Sequence, residues 1–298
     1  MTAIIASYNH REFVEAAIKS VALQDYKNIE IVVIDDGSTD GSDVLLDDLK
    51  EKYKFTLIKK KNGGIVSVIN VGIGVASGDY VFFHASDDES LSSRVSQQVA
   101  VLEEFRGACF VSSNIELQRH GGGSAGFLRP VDHVDRLFSF EDLFLGRASV
   151  SSVGSMYRLE NLRAIGGLDE GYYAEDPQIF WRLTCRGVPW VQSSRDPVIR
   201  YRMIFSSQSR ARMHILCEQL IGLVKEFSWH SGYKEALNRA WASYFFSLTE
   251  VDRWKAISVL VSGNVRIFSW PAFRGVVKLV LPGFIRDLFK KAGRRVRA

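Results

Sequence analysis

The chain has 298 residues, of which 46% are hydrophobic and 24% charged, so it can bury a sizeable core without disulfides or structural metals. The net charge of +4 names no partner. Its distribution is uneven: from Arg274 onward the bases Arg274, Lys278, Arg286, Lys290, Lys291, Arg294, Arg295 and Arg297 are opposed only by Asp287, a basic tail on a near-neutral body. Cys109, Cys185 and Cys217 have no ligand or disulfide spacing and read as buried apolar residues in a reducing compartment. No signal-peptide pattern opens the chain, and no run reaches the roughly 18 apolar residues of a membrane span. A cytoplasmic protein is expected, with any membrane contact peripheral.

In chain order, Ala3–Ala6 predicts a buried strand. Asn9 is expected to cap a helix, with Glu12 at capping-box spacing and Phe13, Val14, Ala17, Ile18 and Val21 on its apolar face. Ile29–Ile34 is a second strand, closed by the polar turn Asp35-Asp36-Gly37-Ser38. A helix follows around Val44–Leu49, then a strand over Phe55–Ile58. Asn62-Gly63-Gly64 opens a helix that runs through Val75. Tyr80–Ala85 is a fourth strand, ended by Ser86-Asp87-Asp88. Apolar strands alternating with amphipathic helices predict an α/β fold with a mostly parallel sheet covered on both faces.

The middle is less regular. Cys109–Ser112, Val153–Tyr157 and Val198–Met203 read as strands. Leu159–Ile165 and the segment after Glu175 read as helices, and Arg119–Arg129, rich in glycine, as a mobile loop. From about Gln208 the pattern is helical, broken at Pro271 and Pro282.

Three polar clusters fall at strand carboxyl ends, where ligands of open α/β sheets collect: Ser7-Tyr8-Asn9, Asp35-Asp36-Gly37-Ser38 and Ser86-Asp87-Asp88. Each alone is an ordinary turn. Four carboxylates facing one crevice repel one another unless a cation or hydrogen-bond donors stand among them. A divalent metal and a nucleotide meet that requirement.

Read as an ordered set, these segments resemble family 2 glycosyltransferases. The first two clusters are similar to the family's opening. Asn62-Gly63-Gly64…Asn70-Val71-Gly72 resembles its glycine-rich segment. Gly78-Asp79-Tyr80-Val81…Ser86-Asp87-Asp88 resembles the strand into its DxD motif, and Gly166-Gly167-Leu168-Asp169-Glu170…Glu175-Asp176 its acceptor block.

The resemblance implies a GT-A-type, Rossmann-like sheet flanked by helices, with a C-terminal helical appendage. It divides the chain into a glycosyltransferase domain over 1–207 and a helical region over 208–298. Within the first, about 1–115 would bind the nucleotide and about 116–207 the acceptor. It implies an inverting transferase that moves a sugar from a nucleotide-diphosphate sugar, a UDP-sugar by preference. The acceptor would be a saccharide or lipid-linked saccharide of cell-surface polysaccharide synthesis.

Ser7, Tyr8, Asn9, Asp35, Asp36, Gly63, Asn70, Asp87 and Arg202 would contact the nucleotide, Asp36 being favoured as acceptor from the base. Asp88, helped by Asp87, would hold Mn2+ or Mg2+, ions suited to hard oxygen ligands. Asp176 would be the base and Glu175 its neighbour, although two acids at a helix start also suit the helix dipole. Two positions depart from the pattern: Ala85 replaces the first acid of DxD, and Ile204 replaces a family histidine. Arg202 facing the diphosphate and Arg202 in a structural ion pair both stand. His84, on the strand before the acids, reads as structural.

The rivals are a non-catalytic nucleotide- or carbohydrate-binding relative and a nucleotidyltransferase, though Ser7-Tyr8-Asn9 lacks the latter's basic glycine-rich loop. The apolar and basic residues between Phe284 and Arg295 fit either a packed appendage or an interfacial anchor. Aromatic residues are not interleaved with the basic end as base stacking requires, so a nucleic-acid partner is not expected.

Overall fold

The computed structural model describes residues 1–119, 122–128, 134–193, 195–203, 212–262, 264–265, 274 and 276. The chain divides into two compact units, Met1–Phe205 and Ser206–Ala298.

The first unit opens with β1 (Thr2–Ser7), α1 (Val14–Ala22), β2 (Glu30–Asp35), α2 (Ser42–Tyr53), β3 (Thr56–Lys59), α3 (Gly64–Val75) and β4 (Tyr80–Ala85). β1, β2 and β4 are buried almost along their whole length, as their unbroken apolar runs require of strands covered on both faces. β1 lies parallel between β2 and β4, and β3 lies parallel outside β2. The chain thus winds outward from β1 through β2 to β3, then returns to set β4 on the other side of β1. Strand order reverses between β1 and β4, where open α/β sheets have their ligand crevice. Gly72 lets α3 close on β1, since an added Cβ would come within 2.7 Å of Ile4.

The chain continues through β5 (Glu89–Ser90), α4 (Arg94–Glu104), β6 (Phe110–Ser112), β7 (Ile115–Gln118), β8 (Ser124–Phe127), β9 (Arg136–Phe138), α5 (Phe140–Phe144), β10 (Ser155–Arg158), α6 (Leu159–Ala164), α7 (Asp176–Thr184), β11 (Trp190–Gln192) and β12 (Ile199–Arg202). The main sheet has the order β3-β2-β1-β4-β10-β6-β11-β9, and β5-β12-β7-β8 form a second, smaller sheet. β10 runs antiparallel to β4, with Tyr157 opposite Val81, so the start of β10 lies beside the carboxyl end of β4. In the second unit, α8 (Met213–Glu226), α9 (Tyr233–Val251) and α10 (Arg253–Val261) follow one another. Among the described residues no helix is long and apolar enough to cross a membrane.

Two expectations are corrected. Asn9 does not cap a helix: α1 begins at Val14 with no side-chain cap, and Asn9 sits in the left-handed region at φ 55°. Asparagine tolerates that conformation, and its side chain accepts from Thr39 N at 2.8 Å instead. The segment read as a loop at Arg119–Arg129 is instead largely a hairpin. Ser124–Phe127 pairs antiparallel with β7 across Gly122 and Gly123, which take positive φ. The strand Ser-Ala-Gly-Phe has no alternating apolar signal to announce it; Gly121 and Arg129 lie outside the described residues. So do Ile204, the residues around Gln208, Pro271, Pro282 and the basic segment from Phe284 to Arg297.

Candidate active site

The loops after β1 and β2 are stitched together. Ser38 donates to the Asp35 carboxylate from its amide at 3.1 Å and its hydroxyl at 2.6 Å, and the amide of Asn9 donates to Ser38 Oγ at 3.0 Å. Asp36 is buried, and its Oδ1 accepts from Lys60 Nζ at 2.6 Å and Gly63 N at 2.9 Å. Its Oδ2 accepts from Gly64 N at 2.8 Å. Asp36 therefore serves the start of α3, where the helix dipole favours a negative charge. A Cβ on Gly63 would lie 2.8 Å from Lys60 Nζ and 2.9 Å from Ser67 Oγ, so a larger residue there would have to displace these side chains. Ser7 Oγ is buried with no partner at the end of β1, while Tyr8 is half-buried beside it. Polar atoms buried without partners are rare, and this one ends a strand at the crevice.

After β4, Asp88 N donates back to Ala85 O at 3.2 Å and turns the chain. Asp88 is 1% exposed; its Oδ1 accepts from Arg202 N at 2.8 Å, and its Oδ2 is buried without a partner. Burial first, then the Asp87 carboxylate, push Asp88 well above the usual carboxylate range. Arg202 braces this turn. Its Nε donates to Asp87 O at 3.0 Å, its Nη2 pairs with Glu89 Oε1 at 2.9 Å, and its guanidinium lies 4.7 Å from the Phe13 ring centre. Of the two readings of Arg202, the structure displays the ion pair. His10, which no motif flagged, places Nδ1 2.9 Å from Ser86 Oγ and 3.8 Å from Asp87 Oδ1. It lines an open depression of about 490 Å3 with Asn9, Arg11, Glu12, Phe13 and Asp40, beside the acid pair rather than over it.

No set of three or more potential metal ligands occurs among the described residues. A divalent ion fits Asp88 and Asp87 only as a two-carboxylate site completed by water and phosphate oxygens, which is how Mg2+ is commonly held. The orphaned Oδ2 of Asp88 is the observation that favours the fit. His84 is buried with neither ring nitrogen hydrogen-bonded among the described residues, and burial followed by the charge of Arg94 pushes its imidazole down to about 3, so it is neutral.

Glu175 and Asp176 open α7 with Pro177 in the first turn. Ser152, in a short 3-10 turn before β10, holds both: its amide donates to Asp176 Oδ1 and its hydroxyl to Glu175 Oε1, each at 3.0 Å. This turn packs against β4, so the acid pair stands on the sheet edge that carries Asp87 and Asp88. Withdrawal from water, then the neighbouring Asp176, push Glu175 up to about 7.

Asn70 stands elsewhere. Its Oδ1 accepts from Leu168 N at 2.8 Å, and its Nδ2 donates to Leu168 O at 2.9 Å and to Glu170 Oε1 at 3.2 Å. The amide expected to touch a nucleotide instead ties α3 to the Gly166-Gly167-Leu168 block.

The 3-2-1-4 order with acids at its carboxyl edge is the GT-A glycosyltransferase fold. Staphylococcus aureus TarS 1-349, solved in complex with UDP-GlcNAc, matches with a TM-score of 0.59 at 16% identity, covering 89% of this chain and 83% of that one. The mannosyltransferase PcManGT from Pyrobaculum calidifontis, solved in complex with GDP-Man and Mn2+, matches with 0.59 at 17% identity, covering 93% and 83%. In sequence, 188 residues are 29% identical to the GalNAc(5)-diNAcBac-PP-undecaprenol beta-1,3-glucosyltransferase of Campylobacter jejuni, covering 61% of this chain and 59% of that protein. Other curated relatives are spanned over 17% to 42% of their length. Residues 2–132 match the family described as "Glycosyl transferase family 2".

Proposed function

We propose that this protein is an inverting glycosyltransferase that takes a sugar from a nucleotide-diphosphate sugar, a UDP-sugar, and passes it to a saccharide or lipid-linked saccharide. One observation carries the reading: buried Asp88, with its unpartnered Oδ2, shares a sheet edge with the Glu175–Asp176 pair. The Campylobacter relative is named for a lipid-linked acceptor, and the two solved neighbours hold nucleotide-sugars. A lipid-linked acceptor would bring this protein to the cytoplasmic membrane surface.

Ser7 and Tyr8 line the crevice on the base side, and Asp35 and Asp36 shape the loop next to it through Ser38, Lys60 and Gly63. Asp88, with Asp87, would hold Mn2+ or Mg2+, which supplies positive charge against the departing diphosphate. Asp176 accepts the proton of the acceptor hydroxyl as that oxygen bonds to the anomeric carbon. The bond from that carbon to the diphosphate oxygen breaks in the same displacement, which inverts the centre. Glu175, pushed up to about 7, sits beside the base as a second carboxyl.

The test is release of UDP from UDP-glucose and UDP-GlcNAc by the full chain with and without Mn2+. Metal-dependent release supports an enzyme. UDP binding with no release, across both donors and with an added acceptor extract, leaves a binding protein and sinks the proposal.

A further inference from the structure

The turn Ser152–Gly154 belongs to no motif in the sequence, yet the structure invests heavily in fixing it. Arg94 is fully buried, and burial lowers its guanidinium to about 9, still cationic at neutral pH. Among the described residues no carboxylate is in salt-bridge contact with it, although the charge of Asp88 acts on it. It donates to Val153 O at 2.9 Å, Ser155 O at 3.3 Å and Ser90 Oγ at 3.2 Å, and it lies 3.9 Å from the Phe82 ring centre. Gln98, one helical turn further along α4, donates to Gly154 O at 2.9 Å. Three successive carbonyls, two of the turn and the first of β10, are thus held by one face of one helix. A buried cation is costly unless its donors are used, and here they go to two backbone carbonyls and to the side chains of Ser90 and Gln98.

What the turn presents is Ser152, 3% exposed, with its amide on Asp176 and its hydroxyl on Glu175. A hydroxyl has one proton to donate, so the Glu175 bond uses its whole donor capacity. The two carboxylates are therefore held by separable means, one by backbone and one by a side chain that substitution can remove.

We propose that Ser152 is the positioning residue of the acid pair, its amide orienting Asp176 and its hydroxyl orienting Glu175. The proposal rests on the reading of Asp176 as the base. Besides Ser152, the titratable and charged groups around Glu175 are Asp176 on its own helix and Tyr157 on β10, with Arg94 on α4 acting on Tyr157 in turn.

The experiment titrates Glu175 and Asp176 by 13C NMR of labelled side-chain carboxyls in the full chain, comparing native protein with Ser152→Ala and Ser152→Thr. Loss of one hydrogen bond to the charged form raises the Glu175 midpoint by about half a pH unit to one unit in the alanine variant. Threonine restores it, and Asp176 moves less than Glu175. Equal Glu175 midpoints in native and alanine proteins would overturn the proposal. If alanine fails to fold, Ser152→Cys keeps the volume with a weaker donor and shows the same direction of shift. UDP-glucose turnover with Mn2+ gives the second readout: Ser152→Ala lowers kcat with KM for UDP-glucose unchanged, and an unchanged kcat counts against positioning. Failure of the base reading looks different, because Asp176→Asn would then keep its turnover while the Ser152→Ala shift persisted.

Discussion

The backbone amide of Arg202 donates to Oδ1 of Asp88 at 2.8 Å, across 114 residues of sequence, and leaves Oδ2 of the same carboxylate buried and unpartnered. β12 thereby fixes the orientation of the acid that ends the β4 turn. The side chain of Arg202 then secures the rest of that turn through Asp87 O and Glu89.

Replacing Arg202 by methionine keeps the amide bond to Asp88 and removes the side-chain brace. Stability falls by about 1–2 kcal/mol in urea unfolding, from the loss of one carbonyl partner and one half-buried ion pair. Binding of Mn2+ with UDP weakens on the order of tenfold, as for other losses of support behind metal-ligating residues. Isothermal titration of UDP with and without Mn2+ measures it, and an unchanged metal-dependent affinity would remove Arg202 from the site's support.

Asn70→Ala separates α3 from the Gly166-Gly167-Leu168 block. Three hydrogen bonds to Leu168 and Glu170 disappear, and the Leu168 backbone loses its partners. A loss of about 1–3 kcal/mol in denaturant midpoint analysis is expected, with UDP affinity unchanged. A large fall in UDP affinity at unchanged stability would return Asn70 to the nucleotide.

Glu175 predicts a pH dependence of stability. Its folded value, about 7, lies above its ordinary value of 4.5. Between these two pH values the unfolded chain gives up the proton first, so the group lowers stability as pH rises, and the cost is complete above about 7. Glu175→Gln, which keeps an acceptor for Ser152, is therefore more stable than the native chain by roughly 1–2 kcal/mol at pH 8. The difference shrinks toward zero at pH 4.5. Chemical denaturation at the two pH values checks it, and equal stabilities at pH 8 would contradict the burial of this carboxyl.

Much of the fold from β1 to β4 was legible in the sequence because its signals are local. Tyr80–Ala85 is an apolar run with turn residues on both sides, and Gly63-Gly64 announces α3 by its glycines; both elements have the predicted bounds. What escaped depended on partners far along the chain. Asn9 resembles a helix cap until Thr39 is brought against it. Asn70 and Asp36 carry the right chemistry for a ligand, yet their polar atoms are drawn to Leu168, Lys60 and the α3 amides, which no spacing rule relates to them. Ser152 and Arg94 left no signal at all: one lies in a serine-rich stretch and the other in a segment that no motif singles out. Only the fold shows that one is buried against the acid pair and the other is fully buried.

The most direct measurement is UDP release from UDP-glucose with Mn2+, made on the native chain, Asp88→Ala and Asp176→Asn, with UDP affinity measured alongside. Both variants lose turnover, Asp88→Ala also loses its metal-dependent affinity for UDP, and Asp176→Asn retains that affinity. Native turnover in Asp176→Asn, or unchanged metal-dependent UDP binding in Asp88→Ala, would contradict this assignment of the site.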